Sequence, residues 1–214
     1  LTVLTNTTAT SLVSLTNCPG TTATFTTVAG GTGPFSYVWR KNGVLLAGQT
    51  NSSLTLSGVT AANAGTYSVA VSGACTSVTN SATLTVLTNT TATSLVSLTN
   101  CPGTTAAFST VAGGTGPFSY VWRRNGVVLS GQTNSTLVLS SVTAANAGTY
   151  SVTVSGSCTS VTNSATLTVL TNTSATPLVS LTNCPGTVAT FSTVAGGTGP
   201  FSYTWWKDGV LLGG

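Results

Sequence analysis

The chain has 214 residues, of which 41% are hydrophobic and only 3% are charged, with a formal net charge of +4. This composition predicts compact cores under a neutral, hydroxyl-rich surface, and it excludes the dense basic patch that binding to nucleic acid requires. Histidine is absent and Asp208 is the single acid, so we expect no enzyme, no metal site and no cofactor.

The sequence is an internal repeat with a period of 83 residues. Cys18, Cys101 and Cys184 recur at this interval, as do Cys75 and Cys158. The first two copies differ at only ten of their 83 positions. No apolar run approaches the roughly 20 residues that cross a bilayer, so we predict no membrane insertion in this segment.

Each copy predicts a series of short strands separated by turn residues. The segment LTVL at Leu1 recurs at Leu84 and Leu167, where it is the last strand of a copy. TATFTTVA places Ala23, Phe25 and Thr27 on one face of a strand. PFSYVWRKNG then alternates and turns at Asn42 and Gly43, a pair typical of a type I′ hairpin turn. SLTLSGV and GTYSVAVSG predict two further strands, so the fold class is all-β.

A tryptophan and a Gly-x-Tyr motif recur at fixed places in this strand pattern: Trp39, Trp122 and Trp205, with Tyr67 and Tyr150. With these residues the chain resembles the immunoglobulin-like (Ig-like) fold, and most closely the tandem Ig-like repeats of large secreted or cell-surface bacterial proteins. The resemblance implies tandem β-sandwiches, each with a buried tryptophan on strand C and a tyrosine corner before strand F. Two departures are Asn63 in place of the usual Asp, and Thr27 and Val69 in place of the cysteines that bridge the two sheets in antibody domains.

The repeat also predicts the division into domains. We expect residues 1–7 to be the last strand of a preceding repeat, and residues 8–87 and 91–170 to be two Ig-like domains. Residues 174–214 then correspond to the first half of a third domain, with the array continuing beyond this segment.

The resemblance places the cysteines in turns rather than in the core. Cys18 falls between strands A and B, and Cys75 between strands F and G at the opposite end of the same domain, on the order of 40 to 50 Å away. Disulfides need Cα atoms within roughly 7 Å. Because Ig-like domains usually stack end to end, we expect a disulfide between Cys18 and Cys158, with Cys75, Cys101 and Cys184 bonded to domains or chains outside these residues.

Two alternatives to this pairing stay open at the level of sequence. The cysteines could bridge neighbouring chains in a bundle, or they could be free buried thiols. Either bridged arrangement implies an oxidising, extracellular or cell-surface location.

Other candidate functional residues lie on predicted surfaces. Trp206 replaces Arg123 of the second copy beside the core tryptophan, and strand alternation predicts that it points outward, where it could contact another domain or chain, or a sugar. The few cations cluster at the C–C′ hairpin, where we interpret them as solubility residues. Five asparagines match the N-x-Ser/Thr acceptor pattern for glycosylation: Asn6, Asn51, Asn89, Asn134 and Asn172.

Two functions fit these predictions. The first is an extracellular structural protein, a segment of a filament or cell-surface fibre that associates with copies of itself and is stiffened by interdomain disulfides. The second is an adhesin or carbohydrate-binding array on a surface stalk, with glycans as partners. Loops repeated without change, such as VAGGTGPFSY in all three copies, favour the first, because binding loops are usually diversified.

Overall fold

The structure, a computed structural model, describes residues 1–213 and confirms the all-β fold class. The first repeat contains nine strands and one 3₁₀ turn at Ala61–Asn63. The strands are β1 (Thr8–Ala9), β2 (Leu15–Asn17), β3 (Ala23–Thr26), β4 (Ala29–Gly30), β5 (Ser36–Lys41), β6 (Val44–Leu45), β7 (Ser53–Leu56), β8 (Gly65–Ser72) and β9 (Ser77–Val86).

These strands form two layers. One is a five-stranded sheet in the order β2-β9-β8-β5-β6, in which only the β2–β9 pair is parallel. The other contains the antiparallel pairs β3–β7 and β1–β4. Asn42 and Gly43, both with positive φ, form the tight turn between β5 and β6 that the sequence predicts. The result is a sandwich in which each layer turns one face toward a shared core.

Alternation along the strands builds the core of the first repeat. Trp39 is completely buried, and its indole N–H donates to the Asn51 carbonyl oxygen at 2.8 Å. The Phe25 ring packs against Tyr67 with ring centroids 5.0 Å apart. Thr27 and Val69 are both buried, so packing takes the place of a bridge between the sheets. Thr27 donates its hydroxyl to the Thr10 carbonyl oxygen at 2.8 Å, which satisfies its buried polar atom.

The second repeat has the same elements. Its five-stranded sheet has the order β11-β18-β17-β14-β15, its 3₁₀ turn is Ala144–Asn146, and its Trp122 donates to the Asn134 carbonyl oxygen at 2.8 Å. The strands are β10 (Thr91–Ala92), β11 (Leu98–Asn100), β12 (Ala106–Ser109), β13 (Ala112–Gly113), β14 (Ser119–Arg124), β15 (Val127–Val128), β16 (Thr136–Leu139), β17 (Gly148–Ser155) and β18 (Ser160–Val169).

The two ends of the chain have less regular structure. Residues 171–213 contain only four two-residue strands: β19 (Ser174–Ala175), β20 (Ala195–Gly196), β21 (Trp206–Lys207) and β22 (Val210–Leu211). Residues 1–7, expected to be a strand, have no strand assigned, and Leu1 is exposed where Leu84 of the next copy is buried and paired with Leu15. Across residues 1–213, no helix combines the length and hydrophobicity that a bilayer crossing demands.

Candidate functional site

The A–B turn of the first repeat, residues 18–21 between β2 and β3, holds Cys18 in a hydrogen-bonded loop. Thr21 donates both its backbone N–H and its hydroxyl to the Cys18 carbonyl oxygen, at 3.2 and 2.8 Å. The Asn17 side-chain amide donates to the Thr21 hydroxyl at 3.0 Å. Gly20 has φ of +81°, a left-handed conformation that suits glycine. These bonds fix the backbone on which the cysteine is carried.

The F–G turn of the second repeat, residues 156–159 between β17 and β18, holds Cys158. Gly156 donates its N–H to the Thr159 carbonyl oxygen at 3.1 Å, which closes the turn. Ser157 donates its N–H to Thr115 at 3.0 Å and its hydroxyl to the Gly116 carbonyl oxygen at 2.7 Å. These hydrogen bonds therefore connect the F–G turn to the loop that precedes β14.

Cys18 and Cys158 form a disulfide across 140 residues of chain. Their Cα atoms are 5.4 Å apart, within the range that disulfides adopt. Both residues belong to one compact unit, made of Leu1–Thr93, Val111–Tyr120 and Thr153–Thr162. The structure thus joins a turn of the first repeat to a turn of the second, with the pairing expected from the sequence.

The other three cysteines, Cys75, Cys101 and Cys184, are unbonded and exposed. Cys101 and Cys184 lie in A–B turns built like that of Cys18. The hydroxyls of Thr104 and Thr187 donate to the carbonyl oxygens of these cysteines at 2.8 and 2.7 Å. Cys75 lies in the F–G turn of the first repeat, residues 73–76, where Gly73 donates its N–H to Thr76 at 3.1 Å, as Gly156 does to Thr159.

The tyrosine corner has a structural role. Tyr67 is buried and donates its hydroxyl to the Asn63 carbonyl oxygen at 2.8 Å, and Tyr150 makes the same bond to Asn146. Burial raises the pKa of the Tyr67 hydroxyl above its ordinary value. Burial likewise raises the pKa of Tyr150, against a smaller lowering by Arg124. Asn63, which stands where Asp is usual, accepts from the Thr60 backbone N–H at 2.8 Å through its side chain.

Two cations have a role that the sequence did not indicate. Lys41, at the end of β5, donates its ammonium to the carbonyl oxygen of Ala62 in the 3₁₀ turn. Arg124 of the second repeat donates to Ala145 and, at 3.0 Å, to Ala147. The interpretation as solubility residues alone is incomplete, because these side chains tie β5 and β14 to the turns that precede β8 and β17.

Trp206 is exposed over 61% of its surface, as strand alternation predicts. It borders an open cavity of about 430 Å³, together with Leu178, Phe191 and Trp205. Phe191 is 51% exposed, whereas the equivalent Phe25 of the first repeat is 2% exposed. Three of its lining residues, Leu178, Phe191 and Trp205, are thus the equivalents of core residues of the first repeat, which accounts for much of the apolar character of the cavity.

The five candidate glycosylation asparagines all lie at exposed positions: Asn6, Asn51, Asn89, Asn134 and Asn172. Within residues 1–213 no group of three or more potential metal ligands is assembled. The structure brings together only Cys18 and Cys158 among the predicted site residues, so the disulfide and the turns that carry it are the candidate functional site.

The family profile of the Immunoglobulin I-set domain matches residues 7–86 and 90–169, which together exceed half of the chain. The chain belongs to the immunoglobulin I-set family. The matched I-set ranges begin and end one residue before the domains expected from the repeat. Curated protein sequences give no significant match to this I-set chain.

Solved structures of other tandem Ig proteins share the fold. A three-domain titin structure superposes with a TM-score of 0.73 at 17% identity, covering 99% of this chain and 83% of titin's. Immunoglobulin domains 1–4 of Sidekick-1 give a TM-score of 0.62 at 19% identity, covering 78% of this chain and 49% of that one. A structure of DIP-gamma bound to an Ig domain of a Dpr protein gives 0.52 at 16% identity, covering 77% of this chain and 98% of that one. At these identities the I-set fold is what is shared.

Proposed function

We propose that this chain is a structural repeat segment of an extracellular filament or cell-surface fibre of bacterial type, in which disulfides between successive I-set repeats stiffen the array. The observation that carries the proposal is the Cys18–Cys158 disulfide, which joins the first repeat to the second. Disulfides form and persist in oxidising compartments outside the cytosol, which supports the extracellular location.

The near-identity of the copies supports a structural role as well. Ten differences in 83 positions leave the A–B and F–G turns almost unchanged, apart from Ala74 in the first F–G turn and Ser157 in the second. Identical turns allow one kind of joint to repeat along a chain, whereas a recognition array would need diversified loops. The low charge of 3% also removes the repulsion that keeps soluble domains apart.

Association with copies of itself is part of this proposal. Equivalent surfaces that repeat without closing generate a filament. The DIP-gamma structure shows one Ig domain bound to another, which is a precedent for the fold. Glycans on the exposed asparagines Asn6, Asn89 and Asn172 would decorate the connections between repeats without entering a core.

A carbohydrate-binding or adhesin role has a weaker basis. It depends on Trp206 and its cavity, and the other aromatic lining residues are the equivalents of Phe25 and Trp39, which are core residues in the complete repeats. Glycan-array binding that is abolished by Trp206→Ala would establish this second function.

Non-reducing peptide mapping combined with electron microscopy tests the structural function. The expected result is a linked peptide pair containing Cys18 and Cys158, together with regular filaments in native material. Thiols that are fully alkylatable without reduction, or a peptide linking Cys18 to Cys75, would overturn the proposal. Isolated flexible stalks with glycan binding would favour the adhesin.

A further inference from the structure

The three unbonded cysteines divide into the same two kinds that form the disulfide. Cys101 and Cys184 occupy A–B turns like that of Cys18, and Cys75 occupies an F–G turn like that of Cys158. Each unbonded cysteine can therefore be compared with the equivalent cysteine of another copy, which is bonded. Because Cys158 of an F–G turn is bonded to Cys18 of an A–B turn, the expected partner of an F–G-turn thiol is an A–B-turn thiol. The expected partner of an A–B-turn thiol is likewise an F–G-turn thiol.

The turns take this conformation with or without the bond. In the A–B turns, the Thr21 hydroxyl lies 2.8 Å from the oxygen of bonded Cys18, and the Thr104 hydroxyl lies 2.8 Å from the oxygen of unbonded Cys101. In the F–G turns, the closing hydrogen bond is 3.1 Å long both at Gly73, beside unbonded Cys75, and at Gly156, beside bonded Cys158. The unbonded thiols are thus presented on preformed turns, and no refolding is needed before they pair.

We propose that Cys75 of one copy of this chain forms a disulfide with an A–B-turn cysteine, Cys101 or Cys184, of a second copy, so that copies link head to tail. This inference deepens the proposed fibre function and rests on it. Within residues 1–213 these three cysteines have no bonded partner, and a second copy supplies the complementary turn. Because the two joined surfaces differ, a linked pair keeps one unused surface of each kind at its ends, and further copies can add there.

The chemistry needs an oxidant, which we take to be a low-molecular-weight disulfide. The Cys75 thiolate attacks it to form a mixed disulfide and releases one small thiol. The A–B-turn thiolate of the second copy then attacks the Cys75 sulfur and releases the other small thiol. Two protein thiols are oxidised and one small disulfide is reduced.

The experiment oxidises the purified 214-residue chain with oxidised glutathione. Non-reducing electrophoresis should show a ladder of multimers, and peptide mapping at low pH should find Cys75 linked to Cys101 or Cys184. Each link uses one of each kind of thiol, so one of the three unbonded cysteines per chain should remain alkylatable.

Variants decide whether the linkage depends on the turns. Cys75→Ser should remain monomeric, as should the double variant Cys101→Ser/Cys184→Ser. The control Cys75→Ser/Gln49→Cys moves the F–G thiol to another exposed position and should multimerise at least tenfold more slowly than the unmodified chain. Equal rates for this control, or Cys75–Cys75 links as the main product, would overturn the inference. The Cys18–Cys158 pair in the same digest reports on the proposed function separately.

Discussion

Replacing Cys18 with serine should destabilise the chain through its unfolded state. The disulfide closes a loop across 140 residues, and the chain-entropy relation for a loop of this size gives about 5 kcal/mol. This value is an upper limit, because it is realised only when the whole segment between the two cysteines unfolds. We therefore expect Cys18→Ser to lower the free energy of unfolding by about 2–5 kcal/mol.

Urea denaturation of the oxidised chain, monitored by tryptophan fluorescence, measures this loss. With m-values of about 1–3 kcal/mol/M, the midpoint should fall by roughly 0.7 M at the least and by roughly 5 M at the most. Cys101→Ser is the matched control, since it changes the equivalent, unbonded residue of the next copy and should leave the midpoint unchanged. The reasoning fails if the two variants have the same midpoint, or if a reducing agent shifts Cys18→Ser as far as it shifts the unmodified chain.

Three further predictions concern the first repeat. Tyr67→Phe removes the hydrogen bond to Asn63 and should cost about 0.5–1.5 kcal/mol of unfolding free energy, or a few degrees in Tm by calorimetry. Burial raises the pKa of the Tyr67 hydroxyl above its ordinary value of 10.0. The stability that the protonated hydroxyl contributes is therefore complete below pH 10 and is lost as the pH rises through the raised pKa. Tyr67→Phe should flatten the resulting decline of the urea denaturation midpoint at alkaline pH. Gly31→Ala places a Cβ 2.2 Å from the Asn6 carbonyl oxygen at φ of +102° and should cost at least about 1–3 kcal/mol by urea titration; a neutral result would contradict the close backbone approach.

The sequence was sufficient for features that depend on local pattern and on the repeat. Alternation along β3 and β5 identified Phe25 and Trp39 as core residues, and the Asn42–Gly43 pair identified the hairpin turn. The Cys18–Cys158 pairing needed more than spacing, because these residues lie 140 positions apart. It depended on the resemblance to tandem Ig-like domains, which implies the order of the strands and the end-to-end stacking of the domains.

Features that depend on which distant backbone atoms come close were missed. Lys41 binds the Ala62 carbonyl oxygen from 21 residues away, and nothing in the local pattern distinguishes it from an exposed lysine. Thr7 is buried, and its N–H and hydroxyl are both satisfied by Thr76, at 2.8 and 2.6 Å. Threonine is abundant on the surface of this chain, so its residue type gave no indication of a buried role.

The place of the disulfide has a consequence for how this chain would respond to reduction. Thr27 and Val69, which stand where antibody domains have the bridge between sheets, are both buried, and the Thr27 hydroxyl is satisfied by Thr10. Each sandwich is therefore closed by packing alone, and the cysteines are carried on turns outside the core. A reductant that breaks Cys18–Cys158 would remove the covalent link between the two repeats, together with the stabilisation predicted above for this disulfide, while Trp39 and Trp122 stay packed in the cores of their own sandwiches.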